Sequence, residues 1–169
     1  MKKAVICLVS LVLLASLSLA AVDLDREFEL KVRDNTHFTF GLGLAGNPFL
    51  GAVIKDGFGY PKGEMGYTNW AGFGYTWIYG TPSENELKDA FLSIKNEYGE
   101  ANILSTQLSS LIRQKIDKNV LNYFTFGTVL FIYPLNVEYG WMFLAGDNLR
   151  FRVGFGLPLL FAFGFNVDF

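Results

Sequence analysis

Hydrophobic and polar residues alternate along most of the chain after residue 24, which is the pattern of β-strands. In residues 36–45, for example, Phe38 and Phe40 lie on one face and Thr39 lies on the other. Turn signals rich in Gly, Asn, Asp and Pro separate the alternating runs. The pattern predicts eight strands, at residues 25–33, 36–45, 49–55, 66–79, 121–133, 136–145, 149–156 and 160–169.

The run at residues 121–133 changes phase along its length. Phe124 and Phe126 have even numbers, whereas Val129 and Tyr133 have odd numbers. Because one extra residue moves all later side chains to the opposite face, we expect a β-bulge near Gly127.

The segment between the fourth and fifth predicted strands has helical spacing instead. Thr81 and Glu84 have the spacing of a capping box, with Pro82 at the first helical position. Apolar residues then recur at intervals of three or four up to about Lys118. The members of these two amphipathic stretches are Leu87, Phe91, Ile94 and Tyr98, then Leu104, Leu108, Leu111 and Ile112. A helical insertion is therefore predicted at about residues 82–118.

The first twenty residues have the pattern of a secretory signal peptide. Two lysines precede an uncharged, mostly apolar run at residues 4–15, and Ser18 and Ala20 supply small residues for cleavage after residue 20. The run is shorter than the about 20 residues that a membrane-spanning helix needs. The predicted organisation is a signal peptide at residues 1–20 and one domain at residues 21–169.

Composition excludes several functional classes. Hydrophobic residues make up 51% of the chain and charged residues 18%, which argues against a disordered protein. The net charge of −2 offers no basic surface for nucleic acid, and the single histidine offers no His-rich metal site. Gly41, Gly43 and Gly46 match a dinucleotide-binding spacing, but Asn47 and Pro48 follow where that motif requires a helix. We therefore expect no cofactor and no metal.

The apolar faces of the predicted strands are strongly aromatic, and the opposite faces carry mainly Gly, Thr, Asn and charge. Transmembrane β-barrels have this arrangement, with apolar side chains facing lipid and aromatic girdles at both interfaces. Ten residues of a tilted strand span roughly 25 Å, the height of the apolar band. The pairs with this separation, Tyr67 with Trp77 and Tyr123 with Tyr133, are the predicted interfacial aromatics.

The C-terminal residues resemble the terminal strand of bacterial outer-membrane β-barrel proteins, which typically ends in Phe after alternating apolar residues. The positions that match this assembly signal are Phe161, Phe163, Phe165, Val167 and Phe169. The resemblance implies recognition by the barrel-assembly machinery and insertion into the outer membrane. The predicted fold class is thus all-β: an antiparallel up-and-down transmembrane β-barrel of about eight strands, with the helical insertion between strands four and five.

With eight strands, both termini and the helical insertion are expected on the same side of the barrel. The resemblance to outer-membrane barrels implies a periplasmic C-terminus, so this side is expected to be periplasmic. Each apolar helical stripe must then be buried against the other helix, the barrel mouth, the membrane surface or a periplasmic partner.

Charged residues on the predicted inward faces form a candidate interior network. Its predicted members are Glu27, Glu29, Lys31, Glu138, Arg150, Arg152 and Asp168. Buried charges must be paired, so these residues are expected to form salt bridges. Such a network could be a polar core that stabilises the barrel or could gate a narrow pore.

Three functions remain open from the sequence. The first is an integral outer-membrane barrel with a structural, binding or narrow-pore role. The second is a soluble periplasmic carrier, in which the aromatic faces would line the cavity for a hydrophobic ligand. The third is a lipid-modifying enzyme built on His37, but every serine after residue 20 lies in the helical insertion. We therefore expect no enzymatic activity.

Overall fold

A computed structural model describes residues 23–43, 48–68, 72–99, 103–129, 133–157 and 160–169. Eight antiparallel strands form a closed barrel in which each strand pairs with the next in sequence. Strand β8 closes the barrel on β1, with Thr39 opposite Asp168 and Gly43 opposite Gly164. The predicted all-β, eight-stranded antiparallel barrel is confirmed. The predicted signal peptide at residues 1–20 lies outside the described residues.

In the part of the chain that the structure describes, three helices accompany the barrel. Helix α1 precedes the first strand, and α2 and α3 lie between the fourth and fifth strands. In chain order the elements are α1 (Leu24–Val32), β1 (Asp34–Gly43), β2 (Pro48–Asp56), β3 (Pro61–Thr68), β4 (Gly72–Tyr79), α2 (Glu84–Tyr98), α3 (Ser105–Ile116), β5 (Val120–Val129), β6 (Tyr133–Leu144), β7 (Leu149–Leu157) and β8 (Ala162–Asp168). No helix in the described ranges is long and apolar enough to cross a membrane.

The strand predicted at residues 25–33 is wrong, because this segment is helix α1. The Asp23 side chain caps the helix by accepting a hydrogen bond from the Arg26 backbone nitrogen at 3.1 Å. Leu24 and Phe28, four residues apart, are buried on one helical face. Leu30, which shares the apolar face of the predicted strand, is 49% exposed.

The strand predicted at residues 66–79 is two strands, since residues up to Thr68 belong to β3 and residues from Gly72 belong to β4. Tyr67 pairs with Phe73 across this hairpin. Both numbers are odd, so the alternation continues in phase through the connection and gives no sign of it. The segment at residues 25–33 removes one predicted strand, and the division of residues 66–79 adds one. The predicted number of eight strands is therefore correct.

Other predicted features are confirmed. The strand predicted at residues 49–55 is β2. The register of β5 and β6 shifts between Gly127 and Val129, where the phase change predicts a bulge. The helical insertion holds α2 and α3, but its capping box is formed by Ser83 and Glu86, two residues later than predicted.

The helices cover one end of the barrel. We call this the capped end; it is the end at which β1 begins and β8 ends. Buried residues of all three helices join residues from the barrel in one hydrophobic cluster. Its members are Leu24, Phe28, Phe58, Tyr60, Ile78, Leu87, Phe91, Ile94, Ile103, Leu108, Ile112, Leu121, Tyr123, Met142 and Leu144. The apolar helical stripes are therefore buried against one another and against the barrel mouth.

Candidate functional site

Alternate residues of each strand face the barrel interior. In β4 the buried positions are Gly72, Gly74, Thr76 and Ile78, and the intervening aromatic residues point outward. The same alternation holds in β7 and β8. Exposed large side chains on the outside of the strands include Phe38, Leu50, Met65, Phe73, Trp77, Phe126, Tyr139, Trp141, Val153, Phe155 and Phe163. The barrel is thus apolar outside, and its interior carries polar and charged side chains.

Glu64 lies at the centre of an interior ion-pair cluster. One carboxylate oxygen accepts a hydrogen bond from Arg150 Nη1 at 2.5 Å, and the other accepts one from Arg152 Nη2. The Glu64 side chain is fully buried. A buried carboxylate shared by two guanidinium groups offsets the desolvation of all three charges.

Arg150 connects Glu64 to the far side of the barrel. Its Nη2 donates to Asp168 Oδ1 at 2.6 Å and to Thr39 Oγ1 at 3.0 Å. The Lys55 ammonium lies 3.4 Å from Asp168 Oδ2. These five residues, Lys55, Glu64, Arg150, Arg152 and Asp168, come from β2, β3, β7 and β8, and we name them the interior ion-pair cluster. Thr39 of β1 adds a hydrogen bond to it.

Lys55 extends this cluster to the capped end. Its ammonium donates to the Asp147 carbonyl at 2.9 Å and to Asn148 Oδ1 at 3.1 Å, both in the β6–β7 connection. The Asp147 side chain in turn accepts a hydrogen bond from Arg113 of α3 at 2.7 Å. A continuous series of polar contacts thus links the barrel interior to the helices.

Glu138 forms a second interior pair, with Tyr123. The Tyr123 hydroxyl donates to Glu138 Oε1, and the tyrosine is fully buried. The prediction that Tyr123 is an interfacial aromatic is therefore wrong. Before the bulge, Tyr123 has the opposite parity to Phe124 and Phe126, so its ring points inward. Gly154 makes room for this ring, because a Cβ at that position would lie 2.5 Å from the Tyr123 hydroxyl.

A polar pocket opens at the barrel end opposite the helices, which we call the open end. It has an empty volume of about 430 Å³, open solvent included. Polar lining comes from Thr125, Asn136, Glu138, Arg152 and Asn166. The Arg152 guanidinium also lies 5.0 Å from the centre of the Phe49 ring, a cation–π contact. The pocket thus ends on the interior ion-pair cluster.

Three predicted members of the interior network lie elsewhere. Glu27, Glu29 and Lys31 belong to α1, outside the barrel wall, because Asp23 caps a helix there. Glu27 and Lys31 pair with each other on the helix surface at 3.8 Å. The other four predicted members, Glu138, Arg150, Arg152 and Asp168, lie in the interior.

Sequence reasoning missed two members of the cluster, Glu64 and Lys55. Glu64 falls in the stretch at residues 56–66, whose glycine-rich composition is typical of a turn. The signal that identifies it is weak: Glu64 and Gly66 alternate with Met65 and Tyr67. Lys55 has the same parity as the buried residue Val53, but the run is short.

The remaining predicted aromatics occupy the barrel wall. Trp77 faces outward and is 40% exposed. The side chains of Tyr67 and Tyr133 lie outside the described part of the chain.

The predicted assembly-signal residues alternate with the buried residues of β8, and the most exposed of them are Phe161, Phe163 and Phe169.

The β2–β3 connection at residues 57–60 fixes the helices to the barrel. The Gly57 amide donates to the Lys31 carbonyl at 2.7 Å, and Ser109 Oγ donates to the Gly57 carbonyl at 3.4 Å. Tyr60 is buried beneath α3, with the Arg113 guanidinium 5.6 Å from its ring centre. Burial raises the pKa of the Tyr60 hydroxyl.

Comparisons with known protein families, curated proteins and solved structures find no match to this chain. Its function therefore has to be inferred from its sequence and geometry.

Proposed function

We propose that this protein is an integral outer-membrane β-barrel with a closed interior and a structural or binding role. The observation that carries the proposal is the polarity of the barrel wall. Outward positions such as Trp77 and Phe155 are large, apolar and exposed, whereas Glu64 and Arg150 are buried inside. Lipid favours this arrangement, because it solvates an apolar surface and the closed ladder pairs the backbone groups of the strands.

The soluble-carrier alternative receives less support. A carrier of a hydrophobic ligand needs an apolar interior cavity. The aromatic faces that would line it point outward, and the interior holds charged residues and glycines.

The contents of the interior favour a closed barrel over a pore. Eight strands enclose a space that side chains can fill. Arg150 and Arg152 meet across this space on Glu64, and the hydrophobic cluster below them covers the capped end. A narrow pore is the second candidate, and the polar pocket at the open end is the observation that favours it.

The location is inferred from the two ends of the sequence. The predicted signal peptide directs export, and the alternating C-terminal residues that end in Phe169 imply recognition by the barrel-assembly machinery. A periplasmic C-terminus places the helices in the periplasm, where their exposed surface is open to a partner.

Cell fractionation followed by gel electrophoresis tests the proposal. We expect the protein in the outer-membrane fraction and a different gel migration for unboiled and boiled samples. Recovery of soluble protein from the periplasm would contradict membrane insertion.

A substitution pair sharpens this test. Val153 lies outward in the middle of β7, and Gln114 is exposed on α3. We expect Val153→Arg to destabilise the barrel in lipid vesicles by about 2–4 kcal/mol, because it places a charge at the bilayer centre. Gln114→Arg is the matched control and should change stability by less than about 0.5 kcal/mol. Equal effects of the two variants would argue against a lipid-facing wall.

Conductance in planar bilayers separates the closed barrel from the narrow pore. Folded protein that inserts without current supports the closed barrel. Discrete current steps that change when Glu64 is replaced would assign the pore function instead.

A further inference from the structure

The polar pocket at the open end is built from strands of the barrel wall. Its described lining residues belong to β1, β2, β5, β6, β7 and β8. Three of its polar side chains keep hydrogen-bonding groups that the described residues do not use: Asn136 and Glu138 of β6 and Arg152 of β7. The regular pairing of the strands therefore sets where these groups lie.

Glu138 is a carboxylate without a cationic partner. Its Oε1 accepts a hydrogen bond from the Tyr123 hydroxyl, and no ion pair to Glu138 occurs among the described residues. The strand register explains this, because the residues opposite Glu138 are Thr125 on β5 and Gly156 on β7. Glu138 is only partly exposed, so water solvates its charge incompletely. Its second oxygen is thus available to a cationic hydrogen-bond donor.

Arg152 has a donor that remains available to an anion. Its Nη2 donates to Glu64, whereas neither Nη1 nor Nε has a hydrogen-bond partner in the described ranges. The guanidinium lies 5.0 Å from the centre of the Phe49 ring and 5.8 Å from that of the Tyr123 ring. These contacts and the Glu64 ion pair hold the guanidinium in place without the use of Nη1. An anionic group in the pocket would therefore meet a donor that is already positioned.

The Asn136 side chain is buried in the pocket without a partner. It is 6% exposed, and the described part of the chain provides no hydrogen bond to its amide. Gly127 lies opposite it on β5 and has no side chain to pair with it. A buried amide without a partner costs free energy. Because an amide both donates and accepts, Asn136 can bind the cationic and the anionic group of one ligand.

We infer that this pocket binds a small zwitterion, a molecule with one ammonium and one carboxylate, as in a free α-amino acid. The ammonium donates to the free oxygen of Glu138, and the carboxylate accepts from Arg152 Nη1. A ligand without net charge preserves the balance of charges inside the barrel, whereas a single ion would disturb it. The ligand is small because eight strands leave little space between the interior side chains.

This inference rests on the proposed closed barrel with a binding role and names the class of ligand for that role. It does not depend on the membrane location, because every group in the argument lies on the inner face of the wall. Binding and location can therefore be tested separately.

A nuclear magnetic resonance titration of the isotope-labelled, folded protein in detergent micelles tests the inference. The probe is glycine, and the signals to follow are the side-chain amide of Asn136 and the Nε of Arg152. Glycinamide keeps the ammonium and lacks the carboxylate, whereas N-acetylglycine keeps the carboxylate and lacks the ammonium. We expect saturable shifts with glycine and binding roughly tenfold or more tighter than with either control, because each charged hydrogen bond contributes about that factor.

Glu138→Gln tests the assigned ammonium contact. Glutamine still accepts the hydrogen bond from Tyr123 but lacks the negative charge, so glycine should bind roughly tenfold more weakly and N-acetylglycine should be unaffected. Glu29→Gln is the matched control on the exposed surface of α1 and should leave glycine binding unchanged. Comparison of the three probes on the native chain needs no variant, so it decides the question even if Glu138→Gln does not fold.

Two results would overturn the inference. One is equal affinity for glycine and for either single-charge probe, since a zwitterion would then have no advantage. The other is the absence of saturable shifts at Asn136 and Arg152 in the folded native barrel. Neither result affects the membrane location, and recovery of soluble protein from the periplasm would contradict that location without changing the titration.

Discussion

Glu64 is the residue on which the interior charges depend. It is fully buried and accepts hydrogen bonds from both Arg150 and Arg152. Arg150 has Asp168 as a second carboxylate partner, whereas Glu64 is the only carboxylate paired with Arg152 among the described residues. Removal of the Glu64 charge would therefore leave a buried guanidinium without an ion-pair partner.

Replacement of Glu64 by glutamine should strongly destabilise the barrel. Loss of one partner of a buried ion pair costs about 3–5 kcal/mol, because the remaining charge stays desolvated. Urea unfolding in lipid vesicles, followed by tryptophan fluorescence, measures the change. Glu29→Gln makes the same chemical change on the exposed surface of α1 and should cost less than about 0.5 kcal/mol. Comparable losses for both variants would show that the interior cluster does not stabilise the barrel.

The stability that Glu86 contributes to the helices depends on pH. The hydrogen bond from Lys118, with help from Ser83, lowers the pKa of Glu86 to about 2. Since the folded pKa lies below the unfolded value of about 4.3, the stabilisation is complete above that value and is lost as the pH falls toward 2. The stability difference between the native chain and Glu86→Gln should therefore shrink between about pH 5 and pH 2. A difference that stays constant over this range would contradict the assignment.

At this scale, the sequence predicts the direction of a side chain only where the strand is correctly placed. Arg150, Arg152 and Asp168 follow from simple alternation in β7 and β8. The side chain of Tyr123 points inward because it has the opposite parity to the outward-facing Phe126 in the same part of β5, before the bulge. Glu64 was hidden because glycine and proline around β3 resemble a turn, and closure of the barrel is what brings it to the arginines.

At the scale of elements, α1 shows how a helix can resemble a strand. Its residues alternate in polarity, but Phe28 is buried against Phe91, with ring centres 4.5 Å apart. Phe28 and Leu24 are spaced four residues apart, which fits a helix that buries one stripe. Alternation in so short a segment cannot distinguish the two structures, and the Asp23 cap decides for the helix.

Helix α1 should be held to the capped end by Phe28. We expect Phe28→Ala to cost about 3–5 kcal/mol, because it removes a buried aromatic ring from the hydrophobic cluster. Leu30→Ala shortens an exposed side chain on the same helix and should change stability little. Limited trypsin digestion checks this, since Arg26 and Lys31 in α1 should become more accessible to cleavage only in Phe28→Ala. Equal digestion of both variants would contradict the packing of this helix.

The helical insertion was predicted more reliably than the strand boundaries. Its apolar spacing persists over two helices, and most of the predicted stripe is buried, whereas Tyr98 and Leu104 at its inner ends are exposed. The β3–β4 connection had no such signal, because the alternation keeps its phase from Tyr67 to Phe73. Long periodic segments therefore carry more information than short connections in this chain.

At the scale of the whole molecule, the interior is electrically balanced. Among the described residues, Lys55, Arg150 and Arg152 face Glu64, Glu138 and Asp168, so three positive charges match three negative ones. Such a network is predicted from the sequence, but three of its predicted members lie on α1 instead. Only the closed barrel determines which strands meet. A neutral interior gives no net attraction for ions of either sign, which agrees with the proposed closed barrel.

The segments that join β1 to β2, β3 to β4, β5 to β6 and β7 to β8 contain no charged residue. If the barrel has the proposed membrane location, this has a consequence for the direction in which it enters a bilayer. During insertion, one end must cross the hydrocarbon, and transfer of charged groups costs about 2.5–3.5 kcal/mol each. Four short uncharged connections can cross at low cost, whereas the charged helices cannot. Every molecule should therefore enter the bilayer with its open end first. Its helices should stay on the side of the bilayer to which the protein was added.

This vectorial insertion is measurable with intact vesicles. Protein folded into vesicles from outside should present Lys88 and Lys95 of α2 to added trypsin in all molecules. Cleavage of the whole population supports a single orientation, and protection of about half would mean that both ends cross equally well. A single orientation would mean that the chain itself encodes its sidedness, through the placement of charge at one end of the barrel only.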